Sequence, residues 1–332
     1  MGSSTACWAG CPLAVITGPT AVGKTSLAID VAGELGGEIL SADSRQIYRY
    51  MDIGTAKPTA EERAAARHHF IDIRDPDERY SAGEFGRTAR GLAGDLARRG
   101  VVPLLVGGSG LYLQAVVDGL FDDEAEYADL RDRLRERLAR EGLGALYEEL
   151  GRRDPGTQAH IKPGDTQRVL RALEVAHRGR GGLVARWQAD GPVPLAGVPV
   201  AFCLTRRRDT LYRRIEQRVD DMVARGLVGE VETLVAAGYD SDSWAMGTFG
   251  YREMLEHLGG ACALGEAVET IKRRSRQYAK RQWTWFRRDR RLRWVDLDVW
   301  SGREAVARMV EQCRAVLGQP SFSPTETDQF CC

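Results

Sequence analysis

The stretch Leu13–Ser26, LAVITGPTAVGKTS, decides the fold of this chain. Its first residues, Leu13–Ile16, form a short apolar run that predicts a buried strand, and an amphipathic helix begins at Thr25. Between strand and helix lie the residues that satisfy G-x-x-x-x-G-K-[ST], namely Gly18, Gly23, Lys24 and Thr25. Glycines let backbone N–H groups converge on one anion at the positive end of a helix. The stretch therefore predicts a phosphate-binding loop.

The chemistry of this loop follows from its residue types. Lys24 can reach phosphate oxygens as a point charge, and the Thr25 hydroxyl can bind Mg²⁺, the cofactor that we expect. The residues predicted to hold the phosphate are Gly18, Pro19, Thr20, Ala21, Val22, Gly23, Lys24 and Thr25. The motif alone does not say which phosphate compound is bound.

The composition is that of an ordinary globular protein, with 332 residues, 43% hydrophobic residues and no net charge. No apolar run is long enough to span a membrane, and Met1–Gly10 lacks the pattern of a signal peptide. The cysteines show no zinc-site spacing and predict reduced thiols: Cys7, Cys11, Cys203, Cys262, Cys313, Cys331 and Cys332. We expect a monomeric cytoplasmic protein that does not bind membranes.

Strands and helices alternate through the first part of the chain. Further strands are predicted at Glu38–Ala42, Phe70–Ile73 and Val101–Val106, and a helix capped by Ser81 at Ser81–Arg98. Asp43 and its neighbours follow the second strand, where polar residues face the ligand crevice of an open α/β sheet. The fold class predicted is α/β, a doubly wound parallel sheet with a phosphate-binding loop.

A helical insertion domain interrupts this sheet. Residues 121–196 are charge-dense, and Leu130, Leu134 and Leu138 repeat on one helical face. The α/β pattern resumes with a strand at Val198–Leu204, a helix with Leu211, Ile215, Val219, Met222 and Val223 on its apolar face, a strand within Arg291–Asp296 and a helix at Ser301–Leu317. The core domain is therefore predicted at 1–120 and 197–332, with the insertion at 121–196.

The segment Lys272–Arg293 is strongly basic, with eleven Lys or Arg and one acid. On a helix, Ile271, Tyr278 and Trp285 share one stripe that predicts a core-facing side. Another face carries Arg273, Arg276, Lys280, Trp283 and Arg287. Such an imbalance in a neutral protein favours a polyanion-binding surface over a merely solvated face.

Nine motifs, taken in order, resemble the tRNA dimethylallyltransferase (tRNA isopentenyltransferase) family in its bacterial form. They run from Leu13 to Arg288: GPTAVGKTSLAI, SADSRQIY, MDIGTAKP, HHFIDIRDP, PLLVGGSGLYL, QRVLRALEV, RIEQRVDDM, GTFGYREM and QYAKRQWTWFR. The resemblance implies transfer of a dimethylallyl group from dimethylallyl diphosphate to N6 of the adenosine 3′ of the anticodon. It thus implies two partners, the prenyl diphosphate and the tRNA anticodon loop.

The resemblance also assigns three catalytic residues. Asp43 matches the general base, although a carboxylate with a pKa near 3.9 is weak toward a neutral amine. Ser109 stands where the family usually has Thr, and its hydroxyl can still bind the base or its phosphate. Arg218 matches the arginine that grips the diphosphate. The rival interpretations are that Asp43 caps a helix and that Arg218 forms a surface salt bridge.

Further positions match segments that the family uses on tRNA, although each could be plain surface. They are Asp43, Ser44, Arg45, Gln46, Ser109, Arg131, Gln167, Arg168, Val169, Leu170, Arg171, Gly247, Thr248, Phe249, Gly250, Tyr251 and Arg252, with Arg273, Arg276, Lys280, Trp283 and Arg287 of the basic segment.

Three other functions remain compatible with the phosphate-binding loop. An ATP-dependent small-molecule kinase shares the loop and sheet but leaves the basic segment unexplained. An adenylate isopentenyltransferase would use the same donor on free AMP, ADP or ATP and would need neither insertion nor basic segment. An RNA-binding protein with a regulatory nucleotide site would need a second acidic Mg²⁺ motif, which we do not identify.

Overall fold

The computed structural model describes residues 13–120, 128–177, 182–184, 193–195 and 200–317. Met1–Gly10, Cys7, Cys11, Cys331, Cys332 and the first two residues of the predicted Val198–Leu204 strand lie outside the described residues. The chain divides into two compact units, one running to Val117 and resuming at Leu195, the other spanning Asp118–Pro194.

The larger unit is built on a parallel sheet of six strands within the described ranges, in the order β3-β2-β4-β1-β5-β6. The strands are β1 (Ala14–Thr17), β2 (Gly37–Ser41), β3 (His68–His69), β4 (Val102–Gly107), β5 (Val200–Thr205) and β6 (Arg293–Asp296). The predicted α/β class with a doubly wound parallel sheet is confirmed. Because β1 pairs with both β4 and β5, the crevice at its carboxyl end is the expected ligand site.

The helices of the larger unit are α1 (Lys24–Leu35), α2 (Ala60–Ala65), α3 (Ala82–Arg98), α4 (Gly110–Val117), α8 (Arg208–Ala224), α9 (Leu227–Ala236), α10 (Tyr251–Leu258), α11 (Leu264–Phe286) and α12 (Gly302–Leu317). Ser81 caps α3 as predicted, accepting the N–H of Glu84. The apolar faces of α1 and α12 meet the sheet in one core that includes Ile16, Leu104 and Phe202. No helix in the described ranges is long and apolar enough to cross a membrane.

The predicted strand at Phe70–Ile73 is wrong, because pairing stops at His69. Phe70 and Asp72 have φ angles of 65° and 57°, which a strand does not accept. The turn lets Phe70 pack edge-on against the Phe85 ring, with centroids 5.0 Å apart. It also brings Asp72 within 2.5 Å of the buried ammonium of Lys57. Tertiary contacts therefore override the β-propensity of this run.

The smaller unit is helical in its described part, with α5 (Ala128–Arg153), α6 (Pro155–Gln158) and α7 (Thr166–Ala176). The φ angle of 80° at Gly142 breaks α5 into two helical parts. Leu134 lies in the core of this unit, and Leu130 and Leu138 pack against it, so the predicted stripe is correct.

Candidate active site

Three loops meet at the carboxyl edge of the sheet, after β1, β2 and β4. The β2 and β4 loops are joined directly: Ala42 N–H donates to Val106 at 2.7 Å, and Ser109 N–H donates to Ala42 at 3.2 Å. A Cβ on Gly107 would lie 2.1 Å from the Ala42 carbonyl oxygen, so this close approach requires glycine. The backbone thus holds Asp43 and Ser109 beside the predicted phosphate-binding loop.

The phosphate-binding loop is curled around the Lys24 side chain. The Lys24 ammonium donates to the Gly18 and Pro19 carbonyls at 3.0 and 2.9 Å. Gly18 has a φ of 144°, and a Cβ there would lie 2.5 Å from the Leu204 carbonyl oxygen. Burial, followed by the charge of Arg218, lowers the pKa of Lys24 to about 8. An anion entering the loop would offer this ammonium a better partner than the carbonyls.

Helix α8 adds two arginines to the same cleft. Arg218 lies in it as predicted, and burial lowers its pKa while the charge of Asp43 opposes that shift. Arg214, one helical turn earlier, donates from Nε to the Ala21 carbonyl at 2.9 Å. Sequence reasoning did not select Arg214, although its i,i+4 spacing from Arg218 places both on one face. Lys24, Arg214 and Arg218 make this end of the cleft an anion site.

Asp43 lines the same cleft as these cations. Its Oδ1 accepts the N–H of Arg45 at 2.9 Å, and Oδ2 has no protein partner within the described residues. The carboxylate raises the pKa of both Lys24 and Arg218, which places it within electrostatic reach of both. A carboxylate oxygen that faces a cationic site can accept a proton from a substrate bound between them.

The Ser109 side chain forms hydrogen bonds with Ser44 of the β2 loop. Its Oγ accepts the N–H of Ser44 at 3.1 Å and donates to the Ser44 Oγ at 3.3 Å. The hydroxyl expected to face substrate therefore also orders the residue after Asp43. A threonine could make the same two bonds, so the substitution at this position keeps the polar geometry.

Helix α11 covers the site and contributes two residues that sequence reasoning did not assign to it, Tyr278 and Gln282. Gln282 is 6% exposed, accepts the Thr20 N–H at 2.8 Å and donates to the Gly108 carbonyl at 2.9 Å. It thereby ties the phosphate-binding loop to the β4 loop. Burial raises the pKa of Tyr278 to about 12, so its hydroxyl stays protonated at the cleft. The sequence signal that could have identified Gln282 is its position in a stripe of α11 whose other members are apolar or small.

The buried stripe of α11 differs from the predicted one. It consists of Ala267, Ile271, Ser275, Ala279, Gln282 and Phe286. Trp285, predicted as core, is 41% exposed and lies against Gly110. A seven-residue repeat drifts around an α-helix, and this drift carries Trp285 off the face that begins at Ile271.

The cleft between these elements has a volume of about 380 Å³. Its walls are mostly polar and come from the phosphate-binding loop, the β2 and β4 loops, α8 and α11; they include Thr20, Ala21, Gly23, Lys24, Thr25, Asp43, Gln46, Gly108, Arg214, Gln217, Arg218, Asp221, Tyr278 and Gln282. A second pocket of about 40 Å³ has walls of both kinds: the polar side chains are those of Lys24, Thr25, Ser41, Asp43, Gln46 and His68, and the apolar ones are those of Ala28, Ile39, Pro58 and Val106.

Val22 differs from the other loop residues because its side chain is fully buried in the sheet core. Its carbonyl accepts the Arg206 Nε at 3.1 Å. The side chain of Val22 therefore anchors the loop, and the predicted phosphate contact of this residue would come from its backbone N–H.

Gln46 also supports the framework. Its Nε2 donates to the Thr55 and Ala56 carbonyls at 3.4 and 3.0 Å, and its Oε1 accepts the Ser41 hydroxyl at 3.1 Å. The loop that it holds also contains Lys57, whose buried ammonium binds Asp52 and Asp72. These contacts explain in structural terms why MDIGTAKP and HHFIDIRDP carry charged residues.

Several residues predicted to contact tRNA are directed elsewhere in the larger unit. Thr248 and Tyr251 are buried, and the indole of Trp283 packs against the sheet core and donates to the Thr205 hydroxyl at 3.2 Å. Phe249 packs near the Tyr278 ring, with centroids 5.5 Å apart. Gly247 and Arg252 are exposed, and Arg252 pairs with Glu256 at 3.2 Å.

The basic face of α11 is partly neutralised. Arg276 pairs with Glu216 of α8 at 2.6 Å, so it is not a free cation. Arg273, Lys280 and Arg287 are exposed as predicted. Their side chains form no ion pair with the described residues, which leaves three charges for a polyanion.

Within the smaller unit, the residues of α7 that were predicted to contact tRNA lie on different faces of the helix. Val169 and Leu170 are buried in the core, so the prediction that their side chains face tRNA is corrected. Gln167 and Arg168 are exposed at the first turn of the helix. Arg131 and Arg171 both bind the buried carboxylate of Glu174, at 2.6 and 2.9 Å.

The described ranges contain no group of three or more His, Cys, Asp or Glu side chains that could hold a metal ion. Their cysteines, Cys203, Cys262 and Cys313, are free thiols. The Thr25 hydroxyl and the Asp43 carboxylate border the same small pocket. This sparse donor set fits Mg²⁺, which keeps waters and takes most of its ligands from a substrate phosphate.

Comparisons with known proteins point to one family. The family model described as IPP transferase matches residues 46–289. A tRNA dimethylallyltransferase of Syntrophobacter fumaroxidans is 45% identical over 306 residues, 91% of this chain and 87% of that protein. One of Pelotomaculum thermopropionicum is 42% identical over 303 residues, 91% of this chain and 96% of that protein.

Two solved structures share the fold. The tRNA isopentenylpyrophosphate transferase of Bacillus halodurans has a TM-score of 0.69 and 40% identity, with 94% of this chain and 98% of that chain covered. A eukaryotic dimethylallyltransferase described as acting on tRNA has a TM-score of 0.74 and 26% identity, with 89% and 78% covered. With a family model over most of its length and close relatives at this coverage, the chain belongs to the IPP transferase family.

Proposed function

We propose that this protein transfers a dimethylallyl group from dimethylallyl diphosphate to N6 of the adenosine 3′ of the anticodon in tRNA, and releases diphosphate. The observation that carries the proposal is one cleft that brings Asp43 together with the phosphate-binding loop and with Arg214 and Arg218. The names of the similar proteins support both the reaction and the tRNA acceptor.

The reaction needs a base and an anion site on opposite sides of the transferred carbon. The N6 lone pair attacks C1 of the dimethylallyl group while the bond from C1 to the diphosphate oxygen breaks. The N6 proton passes to Asp43 as the new bond makes the nitrogen acidic, and the electron pair of the broken bond leaves on diphosphate. Such proton transfer contributes about 10²–10⁴-fold.

Charge on the leaving diphosphate is greatest in the transition state. Lys24, Arg218 and the loop N–H groups therefore stabilise the transition state more than the bound substrate. Arg214 holds the loop through the Ala21 carbonyl and adds a third positive charge. Mg²⁺ supplies further charge neutralisation when bound, and Thr25 is the hydroxyl that would hold it, with diphosphate and water as the other ligands.

The small pocket beside Lys24 has mixed polar and apolar walls, and its size suits part of a prenyl group better than the base of a nucleotide. A cavity that holds a benzene ring measures about 150 Å³. The pocket beside Lys24 has about 40 Å³, enough for the methyl end of a short branched chain that extends from the cleft but too narrow for a purine. Ala28, Ile39 and Val106 supply the apolar part of its wall, which such a chain would contact.

We also propose that the protein acts as a cytoplasmic monomer. Every residue assigned above to the anion site and to proton transfer comes from one unit of one chain, so the proposed chemistry needs no second copy. The free thiols of Cys203, Cys262 and Cys313 suit a reducing compartment.

The exposed cations of α11 should make tRNA binding depend on salt. Each neutralised phosphate contributes roughly 0.7–0.9 to the slope of log K against log salt. We expect Lys280→Ala with Arg287→Ala to reduce the slope by about twice that amount. Arg276→Ala is the control, because Glu216 already occupies that guanidinium. A slope that stays unchanged in the double variant would make this face a solvated surface only.

The lowered pKa of Lys24 predicts an alkaline limit on catalysis. A pKa of about 8 means that the free enzyme loses the ammonium charge as pH rises through this value. We expect kcat/KM for the prenyl diphosphate to fall above that pH, because kcat/KM reports the free enzyme. The limit in kcat should lie higher, since bound diphosphate favours the charged form. Flat kcat/KM up to pH 10 in wild type would contradict this role.

Gln282→Leu is expected to lower transfer about 10- to 100-fold, because the substitution leaves the Thr20 N–H and the Gly108 carbonyl unpaired. Each unpaired buried group costs about 1–3 kcal/mol. Gln277→Leu, at an exposed position of the same helix, is the matched control. Steady-state kinetics on both variants provide the measurement, and equal kcat/KM values would remove Gln282 from the site.

The proposed acceptor is tested by competition between tRNA and free nucleotides. Purified protein with Mg²⁺ and labelled dimethylallyl diphosphate should label unmodified tRNA and leave AMP, ADP and ATP unlabelled. Preferential labelling of a free nucleotide would replace the proposal with an adenylate isopentenyltransferase. Labelling of neither acceptor would overturn the transfer reaction.

A further inference from the structure

A single carboxylate on α9, that of Glu230, accepts three hydrogen bonds from the loop Asp52–Lys57, hereafter the 52–57 loop, and a fourth from Tyr251. Glu230 Oε2 accepts the N–H groups of Asp52 and Ile53 at 2.8 and 2.7 Å. Its Oε1 accepts the Gly54 N–H at 3.1 Å and the Tyr251 hydroxyl at 2.6 Å. Three successive N–H groups that point the same way form an anion-binding concavity. Here the anion is the protein's own side chain.

Tyr251 closes this arrangement from α10. A Cβ on Gly54 would lie 2.6 Å from its ring, so the ring packs directly on the glycine backbone. Burial and the charge of Glu230 raise the pKa of Tyr251 far above its ordinary value, which keeps the hydroxyl a donor. The carboxylate is therefore matched to four donors.

The 52–57 loop connects the Glu230 contacts to the cleft. Its Thr55 and Ala56 carbonyls accept the side-chain amide of Gln46, and both Ala56 and Gln46 line the cleft that contains Asp43. Gln46 lies three residues after Asp43 in the same β2 loop. A shift of the 52–57 loop would thus displace the wall of the cleft beside the proposed base.

We propose that Glu230 is a positioning residue for transfer, which holds the 52–57 loop and through it Gln46 and the Asp43 segment in their working geometry. The inference rests on the proposed function for its kinetic part. Glu230 of α9 and Tyr251 of α10 would then support transfer by ordering the cleft wall and not by contacting tRNA. This role explains why the Tyr251 side chain points into the protein.

The loop has a second anchor, which makes the proposal testable in a folded protein. Lys57 binds the Tyr48 carbonyl, Asp52 and Asp72, the first and third at 2.5 Å and the second at 2.6 Å. Glu230→Gln should therefore fold, because Lys57 still ties the end of the loop. It should nevertheless loosen residues 52–54, since a glutamine side chain keeps one acceptor oxygen and places an NH₂ group where the other oxygen accepted hydrogen bonds.

The experiment compares Glu230→Gln and Tyr251→Phe with Glu232→Gln, an exposed neighbour on the same helix. We expect kcat on tRNA to fall at least about tenfold in Glu230→Gln and less in Tyr251→Phe. The Kd for dimethylallyl diphosphate should remain unchanged, as should all parameters of Glu232→Gln. The double variant should lose little more than Glu230→Gln, because both changes remove one shared contact.

Amide hydrogen exchange gives a readout independent of activity. In folded Glu230→Gln, exchange should accelerate at residues 52–56 and at Gln46, while the phosphate-binding loop stays as in wild type. Unchanged exchange or unchanged kcat would overturn the proposal, and so would a fall in diphosphate affinity equal to that in kcat, which marks general destabilisation. If the wild type transfers nothing to tRNA, the proposed function fails, and the exchange result still decides whether Glu230 orders the cleft wall.

Discussion

Asp43→Asn is expected to lower kcat at least about 100-fold, while tRNA and prenyl diphosphate bind with nearly wild-type Kd. Asparagine keeps an oxygen for the Arg45 N–H, so the β2 loop should retain its shape. It cannot accept the N6 proton, and the transition state then loses its base. The expected loss falls on kcat because the proton moves only as the new bond forms.

Single-turnover kinetics with saturating substrates measure this effect. Ser44→Ala is a useful comparison, because it removes a hydroxyl beside Asp43 without removing the carboxylate, and we expect a smaller loss. An Asp43→Asn variant that transfers at the wild-type rate would exclude Asp43 as the base. Asp43 would then be only the acceptor for Arg45 that caps the turn.

Lys24→Ala is expected to cost about 10²–10³-fold in kcat/KM for the prenyl diphosphate, in the range found when one preorganised electrostatic contact is lost. The ammonium of Lys24 is held by the carbonyls of its own loop, at the place where the diphosphate is expected to bind. Its charge matters most as the diphosphate leaves, and kcat should therefore fall along with affinity.

Lys24→Arg tests charge against geometry. Arginine keeps the charge at high pH and should abolish the alkaline limit, although its larger head fits poorly between the Gly18 and Pro19 carbonyls. A kcat/KM for Lys24→Ala within twofold of wild type would show that the loop N–H groups and the arginines suffice. Lys24 would then have no essential role in the phosphate-binding loop.

Local sequence signals predicted the parts of the site that lie on one loop each. The glycine spacing around Lys24 predicted the phosphate-binding loop. The polar residues after β2 and β4 were predicted to line the site, because the carboxyl ends of the strands in a parallel sheet border the ligand crevice. The signals that predicted Ser81 as a helix cap and Leu134 as a core residue of the insertion were equally local. Each depended on neighbours within a turn or two of the chain.

The contacts that join distant segments could not be predicted. Gln282 binds Thr20 across 262 residues of sequence, and Glu230 binds the 52–57 loop across almost 180. Gln282 is marked only by its place in a helical stripe of otherwise apolar or small residues, and nothing in the neighbourhood of Glu230 marks it as more than a surface polar group. The missed turn at Phe70 has the same origin, because its φ angle is fixed by packing on Phe85 and by the ion pair of Asp72 with Lys57.

The central claim is that the phosphate-binding loop serves a prenyl diphosphate and not a nucleotide. Purified protein, Mg²⁺, unmodified tRNA and dimethylallyl diphosphate are combined without any nucleotide, and prenylated adenosine and released diphosphate are measured. We expect equal amounts of both products, with no increase when ATP is added. Product that forms only with ATP, or ATP cleavage without prenyl transfer, would contradict the assignment and favour a kinase.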